Sequence, residues 1–172
     1  IAQILIKGGS LETTISILSG WRVEEIAESL TELGLTISPD QFLNEVNSRD
    51  LEGYLFPGTY QVNRQISAGE LVDQMYQNFL SQISPEIEDG WKQQGLSTFE
   101  AVILASIIER EAVLEQEKPI IASVFLNRMR IEMNLSADPT VQYALGNPGS
   151  WWKAPLSAAD LEVHSPYNTY QN

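Results

Sequence analysis

Alternating and helical patterns of apolar residues separate a first third of short elements from a longer remainder. TTISILSG (13–20) alternates β-branched and polar positions and predicts a strand, and GTYQV (58–62) predicts a second strand. Between them, WRVEEIAESLTELG and ISPDQFLNEVNS place apolar residues at helical spacing. Gly34 is expected to end the first of these helices, and Ser38 with Pro39 to begin the second. The opening IAQILIKGG is also strand-like.

The pattern after residue 66 is mainly helical. Its spacing predicts helices over 67–83, 98–116 and 118–133, whereas the intervening SPEIEDGWKQQGLS is polar and turn-rich. Beyond Asn134 the periodicity gives way to short motifs: LSADPTVQYALG, NPGSWWKAPLSAADL and HSPYNTY. Loops this rich in Trp, Tyr, Asn and Pro, carried on helices, favour a binding surface. The expected fold class is α+β, with a small βααβ domain over 1–65 and a mainly helical domain over 66–172.

Composition narrows the classes of ligand. Ten Lys and Arg against 23 Asp and Glu give a net charge of −13, which argues against nucleic acid and favours an uncharged or zwitterionic polymer. The chain has no Cys and a single His, so thiolate and His-rich metal sites are excluded and no metal or organic cofactor is expected. No apolar stretch approaches the ~20 residues of a membrane span, and no signal peptide is visible.

A glutamate at the end of an apolar run is the first candidate for chemistry. AVILASII (101–108) is followed by Glu109, Arg110 and Glu111. On a helical wheel the small residues Ala105, Ser106 and Ala112 lie beside Glu109, and a ligand could approach the helix closely there. Glu111 shares a more apolar stripe instead.

The pattern alone leaves two interpretations of Glu109 open. Apolar surroundings raise the pKa of a carboxyl group, and a carboxyl that keeps its proton suits general-acid catalysis on a glycosidic oxygen. Alternatively, Glu109 is a structural carboxylate paired with an arginine. The candidate partners are Arg110, Arg128 and Arg130.

Four motifs in order resemble the YceG-like family of MltG-type endolytic murein transglycosylases. These motifs are EGYLFPGTY (52–60), LASIIEREA (104–112), IIASVFLNRMRIEMNLSADPTVQYALG (120–146) and SPYNTY (165–170). The resemblance implies that residues 1–65 are a LysM-like subdomain and that residues 66–172 are a lytic-transglycosylase-like catalytic domain. The family continues past NTY, so the C-terminal part of its fold is expected to be missing here.

The resemblance also implies an activity and a catalytic residue. Such enzymes cleave the MurNAc–GlcNAc β-1,4 bond of nascent peptidoglycan strands and leave 1,6-anhydroMurNAc ends. One glutamate, placed by the resemblance at Glu109, acts as both acid and base, because the MurNAc C6 hydroxyl is the nucleophile. A hydrolytic glycosidase would instead need a second carboxylate. The candidates for that role are Asp138, Asp160, Glu111 and Glu52.

The flanking motifs are expected to line a sugar groove. The implied substrate-binding residues are Asn127, Arg128, Asp138, Thr140, Tyr143, Ser165, Tyr167, Asn168, Thr169, Tyr170 and Glu52. The tyrosines would stack on pyranose faces, and the short polar side chains would hydrogen-bond the sugar. Three alternatives remain: Asn127 and Arg128 as a structural pair, Asp138 as a turn residue bonded to its own backbone, and the tyrosines as core residues. The aromatic WWKAP loop is either a sugar contact or plain surface.

The resemblance implies a location and partners as well. The family carries an N-terminal membrane helix, so a single-pass anchor is expected upstream of Ile1, with the domain on the extracytoplasmic face of the cytoplasmic membrane. The partners would be peptidoglycan strands and peptidoglycan synthases. The competing hypothesis is a non-catalytic peptidoglycan-binding or scaffold module of the cell-wall synthesis machinery.

Overall fold

Residues 12–172 are described by the computed structural model, and the strand-like opening IAQILIKGG lies outside them. The described residues form seven α-helices and one two-stranded antiparallel sheet, which confirms the α+β class. The chain divides into two compact units, the first ending at Ser84 and the second beginning at Pro85. No helix within the described part is both long and apolar enough to span a bilayer.

The first unit has the expected strand–helix–helix–strand order. Its elements are β1 (Glu12–Ile17), α1 (Val23–Glu32), α2 (Pro39–Ser48) and β2 (Gly58–Asn63). β1 pairs with β2 so that Ile15 faces Tyr60 across the ladder, and the inward positions of both strands are buried. Because side chains alternate between the two faces of a strand, one face of this small sheet packs on the core and the other meets water.

The predicted ends of the two helices are present. The Ser38 hydroxyl accepts a hydrogen bond from the Gln41 N–H, and Pro39 occupies the first turn of α2. Such a cap satisfies one of the N–H groups that a helix start leaves without an intrahelical partner. After α1, Gly34 adopts a φ of +82°, a conformation that side-chain-bearing residues rarely adopt.

Helix α3 (Ala68–Gln82) belongs to the first compact unit, although the sequence boundary at residue 65 put it in the second. Its buried residues Leu71, Val72 and Met75 lie in the same apolar cluster as the sheet and the first two helices. The buried residues of α3 thus complete the hydrophobic core that the sheet and the first two helices form. The division into LysM-like and catalytic domains stays a prediction.

The second unit is helical and has a small core. It contains α4 (Pro85–Gln93), α5 (Thr98–Glu111), α6 (Lys118–Arg130) and α7 (Asp138–Leu145), with short 3-10 turns at Glu115–Glu117 and Asp160–Glu162. The buried cluster consists of Leu104 and Ile107 from α5, Phe125 from α6, and Ala137 just before α7.

Two of the helices in this unit were missed in the sequence. α4 buries none of its residues, so it has no apolar stripe to reveal it, and α7 is only eight residues long. α5 ends at Glu111, before the predicted end at residue 116. The reason is that Ala112 turns to extended backbone and the Glu117 carboxylate accepts the N–H groups of Val113 and Leu114.

We expect Met75→Ala to lower the free energy of unfolding of the first unit by about 2–5 kcal/mol, because it leaves a cavity at a fully buried position. Urea denaturation followed by far-UV circular dichroism measures this change. The matched control is Gln77→Ala on the exposed side of the same helix, expected to stay within about 0.5 kcal/mol of the parent. Equal effects of the two substitutions would mean that α3 is not part of this core.

Candidate active site

Glu109 lies in the last turn of α5 and carries an ion pair. Its Oε2 is 2.7 Å from Nζ of Lys118, the first residue of α6, and this ammonium is also 2.7 Å from Oε1 of Glu115. Both carboxylates hydrogen-bond the ammonium and raise the pKa of Lys118, Glu109 being the larger cause. The short turn from α5 into α6 brings Lys118 back to α5. The ion-pair partner of Glu109 is thus a lysine, in place of the three arginines considered, and the role of Glu109 stays a prediction.

The face beside Glu109 is open to solvent. Ala105 and Ser106 are exposed and Ala112 is half-buried, while 31% of the Glu109 side chain is exposed. The structure thus shows a half-buried carboxylate on a face of small residues, as the helical wheel indicated. Helix α5 is not buried on all sides, because only its residues Leu104 and Ile107 are buried.

Glu111 ends α5, and its surroundings favour the protonated acid. The residue is exposed at the surface, but the neighbouring protein displaces enough water from its carboxyl group to raise its pKa. The negative charge of Asp138 raises this pKa further, whereas the charge of Arg128 lowers it. The partial negative charge at the C-terminal end of a helix acts in the same direction as Asp138.

Asp138 begins α7 and is not in the isolated turn that the sequence suggested. Its Oδ1 accepts a hydrogen bond of 2.6 Å from the Tyr170 hydroxyl, in place of the expected bond to its own backbone. The carboxylate raises the pKa of Tyr170 to about 12, so the hydroxyl keeps its proton and remains a donor. Arg128 donates to the carbonyl oxygen of Leu135. The end of α5, the end of α6, the start of α7 and the C-terminal segment thus meet around Glu111.

Asn127 and Arg128 do not form the pair considered from the sequence. Asn127 is exposed, and its Oδ1 accepts a hydrogen bond of 3.0 Å from Arg130. Arg130 also donates to the side chain of Gln94, at 2.6 Å. Arg128 instead belongs to the group of side chains around Glu111, and sugar contacts by either residue stay predictions.

The SPYNTY motif holds the C-terminal segment in place. Asn168 is fully buried, and its Nδ2 donates to the carbonyl oxygens of Leu161 (2.9 Å) and Val163 (2.8 Å) while its Oδ1 accepts from the Tyr170 N–H (3.0 Å). Both amide hydrogens are therefore used inside the protein. The expected contact of Asn168 with sugar is corrected to a role in positioning Tyr170.

Thr140 and Thr169 form a second internal link. Their hydroxyl oxygens lie 2.9 Å apart, and the Thr169 hydroxyl also accepts from the Ala137 N–H. The Thr140 hydroxyl bonds the Ala137 carbonyl oxygen, and Thr140 is buried. These contacts fix the start of α7, and hence Asp138, against the C-terminal segment, so the expected sugar contact of Thr140 is corrected to a structural one.

The other candidates differ in their settings. Ser165 accepts from the Tyr167 N–H at 3.3 Å, as a turn residue does. Asp160 pairs with Lys153 and caps its own 3-10 turn through Ser157, and these hydrogen bonds lower its pKa to about 2. Glu52 lies exposed in the first unit, and its role stays a prediction.

Three aromatic side chains of the second unit form a cluster. We define it as Tyr143, Trp152 and Tyr167: the ring centroids of Tyr143 and Tyr167 are 4.9 Å apart, and those of Tyr143 and Trp152 are 6.4 Å apart. Trp152 was left open in the sequence and Lys118 was not considered, because the contacts that reveal them join residues distant along the chain. Among the described residues, no group of three or more His, Asp or Glu side chains could hold a metal ion.

The chain belongs to the YceG-like family, whose model matches residues 1–172, and the resemblance drawn from the four motifs is confirmed. It is 37% identical over 139 residues to the endolytic murein transglycosylase of Bacillus subtilis (strain 168), covering 78% of this chain and 37% of that protein. It is 34% identical over 123 residues to the endolytic murein transglycosylase of Streptococcus pneumoniae serotype 2 (strain D39 / NCTC 7466), covering 71% of this chain and 22% of that protein.

A solved structure agrees with this assignment. The 2.6 Å crystal structure of a yceG-like protein from Listeria monocytogenes matches with a TM-score of 0.79 at 30% identity, covering 92% of this chain and 59% of that chain. The chain spans well under two thirds of the length of the curated relatives that it matches.

We expect Asn168→Ala to lower the free energy of unfolding by about 1–3 kcal/mol, because it removes a fully buried amide and its hydrogen bonds to the Leu161 and Val163 carbonyl oxygens. Chemical denaturation measures the change. The control is Gln171→Ala, which removes an exposed side chain from the same segment. A stability of Asn168→Ala equal to that of the control would show that the amide does not hold this segment.

Proposed function

We propose that this protein is an endolytic peptidoglycan lytic transglycosylase, a lyase that cuts the MurNAc–GlcNAc β-1,4 bond and leaves 1,6-anhydroMurNAc ends. Membership of the family and the names of two relatives support the class of reaction. The observation that carries the proposal is the surface carboxyl group of Glu111, whose pKa is raised by partial burial and by Asp138. A carboxylic acid that retains its proton is what the first step of such a cleavage requires.

The geometry favours Glu111 over Glu109 as the acid. Oε2 of Glu109 is 2.7 Å from the Lys118 ammonium group, so a hydrogen bond already occupies one of its oxygens. Among charged groups, the carboxylate of Asp138 has the largest effect on the pKa of Glu111. Its negative charge disfavours ionisation of Glu111. Glu109, the acid that the family resemblance indicated, thus remains the competing assignment, and the two glutamates are tested side by side below.

One carboxyl group is sufficient for the reaction. The protonated carboxyl of Glu111 gives its proton to the glycosidic oxygen, and the C1–O bond of MurNAc breaks as the GlcNAc hydroxyl leaves. The C6 hydroxyl of the same MurNAc then attacks C1, and its proton passes to the Glu111 carboxylate. The acid is regenerated and no water is consumed, so Asp138 need not act as a second catalytic carboxylate. Its role is to add to the effect of partial burial in raising the pKa of Glu111.

Other exposed and half-buried candidates extend this site. We assign sugar contacts to Arg128 and Tyr170 beside the acid, to Tyr143 and Tyr167 in the aromatic cluster, and to the exposed Asn127. Ser165, Thr169 and Glu52 stay candidates from the family resemblance. A net charge of −13 fits a glycan strand better than a polyanion.

The substrate sets the location of the protein. Peptidoglycan lies outside the cytoplasmic membrane, so we infer an extracytoplasmic site of action. We also propose an anchor in the membrane upstream of Ile1, and peptidoglycan synthases as partners, because nascent strands are made at that membrane surface.

A non-catalytic glycan-binding module is the second candidate function, and a groove in the first unit favours it. The groove has a volume of about 750 Å³ and is lined mainly by uncharged polar side chains around two isoleucines. Among the lining residues are Thr36, Ile37, Asn44, Ser48, Gln65 and Ile66. Uncharged hydrogen-bonding groups of this kind suit a neutral carbohydrate. Binding of glycan strands without release of any cleaved product would favour this function over the enzyme.

We expect Glu111→Gln to lower the rate of glycan cleavage by about 10²–10⁴, because the amide keeps the shape of the side chain but has no proton to transfer. Glu109→Gln should lower it far less, since Lys118 keeps Glu115 as a partner. Mass spectrometry of digested peptidoglycan measures both rates and identifies the ends. The reverse order of the two effects would return the acid to Glu109, and reducing MurNAc ends would make water the nucleophile.

The pH–rate profile should depend on Asp138. A general acid loses activity as the pH rises through its pKa, and the charge of Asp138 raises the pKa of Glu111. Asp138→Asn keeps an oxygen for the Tyr170 hydroxyl but removes the charge, so the alkaline limb of kcat/KM should move to lower pH. Glu132→Gln, which removes an exposed charge elsewhere in the second unit, should leave the limb in place. A limb unaffected by Asp138→Asn would contradict the assignment of Glu111.

A further inference from the structure

The loop between α7 and the 3-10 turn at Asp160 is fixed by several hydrogen bonds. Asn147 and Ser150 form a short antiparallel bridge, and the Gln142 side chain donates to the Lys153 carbonyl oxygen at 3.0 Å. Lys153 Nζ also lies 2.6 Å from Asp160 Oδ1. These bonds hold the segment on both sides of Trp152, so the position of its indole ring is set by the fold.

Trp152 lies beside the last turn of α5. The guanidinium carbon of Arg110 is 3.7 Å from the centroid of the indole ring, the geometry of a cation–π contact. Arg110 stands between the two glutamates in the sequence. The contact therefore places an aromatic ring against the residue that precedes Glu111, to which we assign the chemistry.

The aromatic cluster continues from Trp152 toward solvent. Tyr143 of α7 connects Trp152 to Tyr167, and Tyr167 is 53% exposed. None of the three rings belongs to the buried apolar cluster of this unit. They form a half-open aromatic surface next to acidic and hydrogen-bonding groups, and binding sites for small organic ligands commonly combine aromatic side chains with a few polar groups in this way.

We propose that the aromatic cluster is a binding subsite for a pyranose ring of the glycan strand next to the scissile bond, with Trp152 as a residue that contacts this ring. The apolar face of a pyranose packs on an aromatic ring, while its hydroxyl and amide groups meet the polar side chains nearby. The fixed loop holds the ring before the ligand arrives, so little conformational freedom is lost on binding. The identity of the ligand rests on the proposed function.

Binding to an inactive variant tests the subsite apart from catalysis. In the Glu111→Gln background, the affinity for purified uncrosslinked peptidoglycan glycan strands is measured by isothermal titration calorimetry. We expect Trp152→Ala to weaken binding about three- to tenfold, the change that corresponds to one aromatic contact. Trp152→Phe, which keeps an aromatic face, should recover part of the loss. Phe99→Ala, an exposed aromatic at the other end of α5, is the matched control and should have no effect.

A second variant distinguishes loss of the subsite from misfolding of the Trp152→Ala protein. Tyr167 is more than half exposed, so Tyr167→Ala opens no core cavity and should also weaken binding about threefold or more. Unchanged affinity in folded Trp152→Ala and Tyr167→Ala variants would overturn the subsite. In the parent with Glu111 intact, Trp152→Ala should raise KM more than it lowers kcat. A parent that binds strands through Trp152 but releases no anhydro ends would contradict the proposed activity and leave the subsite standing.

Discussion

The chemistry that we propose for the second unit depends on two carboxylates, Glu111 and Asp138, that are close enough to affect each other. The partial burial of Glu111 and the charge of Asp138 both raise the pKa of Glu111, and the smaller effect of the Arg128 charge opposes them. Such an arrangement disfavours ionisation of one member of the pair. The Asp138 carboxylate in turn accepts a hydrogen bond of 2.6 Å from the Tyr170 hydroxyl.

The hydrogen bonds behind this pair explain the C-terminal motif. Asn168 fixes the backbone of Tyr170, and Thr169 fixes Thr140 and Ala137 at the start of α7. Tyr170 and Asp138, which are 32 positions apart in the sequence, are thereby brought together. The buried Asn168 thus serves to hold this segment in place, because both N–H groups of its side-chain amide are satisfied internally.

The sequence predicted the elements that have strong periodicity and missed those that depend on distant contacts. The two strands, the Ser38 cap and the Gly34 turn follow local rules, and the structure has all of them. α4 and α7 escaped because one buries nothing and the other is short. A helical wheel identified the open face at Glu109 but not the Lys118 ion pair or the charge of Asp138, since both reach α5 from later segments. Local periodicity therefore located the helix of the site, and tertiary contacts discriminate between its two glutamates.

The most direct test of this account is a titration of the Glu111 carboxyl carbon by NMR, using protein labelled with ¹³C at glutamate side chains and assigned with the Glu111→Gln variant. The account predicts that Glu111 titrates above the usual range for a glutamate, and that Asp138→Asn moves the midpoint down. A midpoint of Glu111 at or below the usual range, unmoved by Asp138→Asn, would contradict the assignment of this residue as the acid.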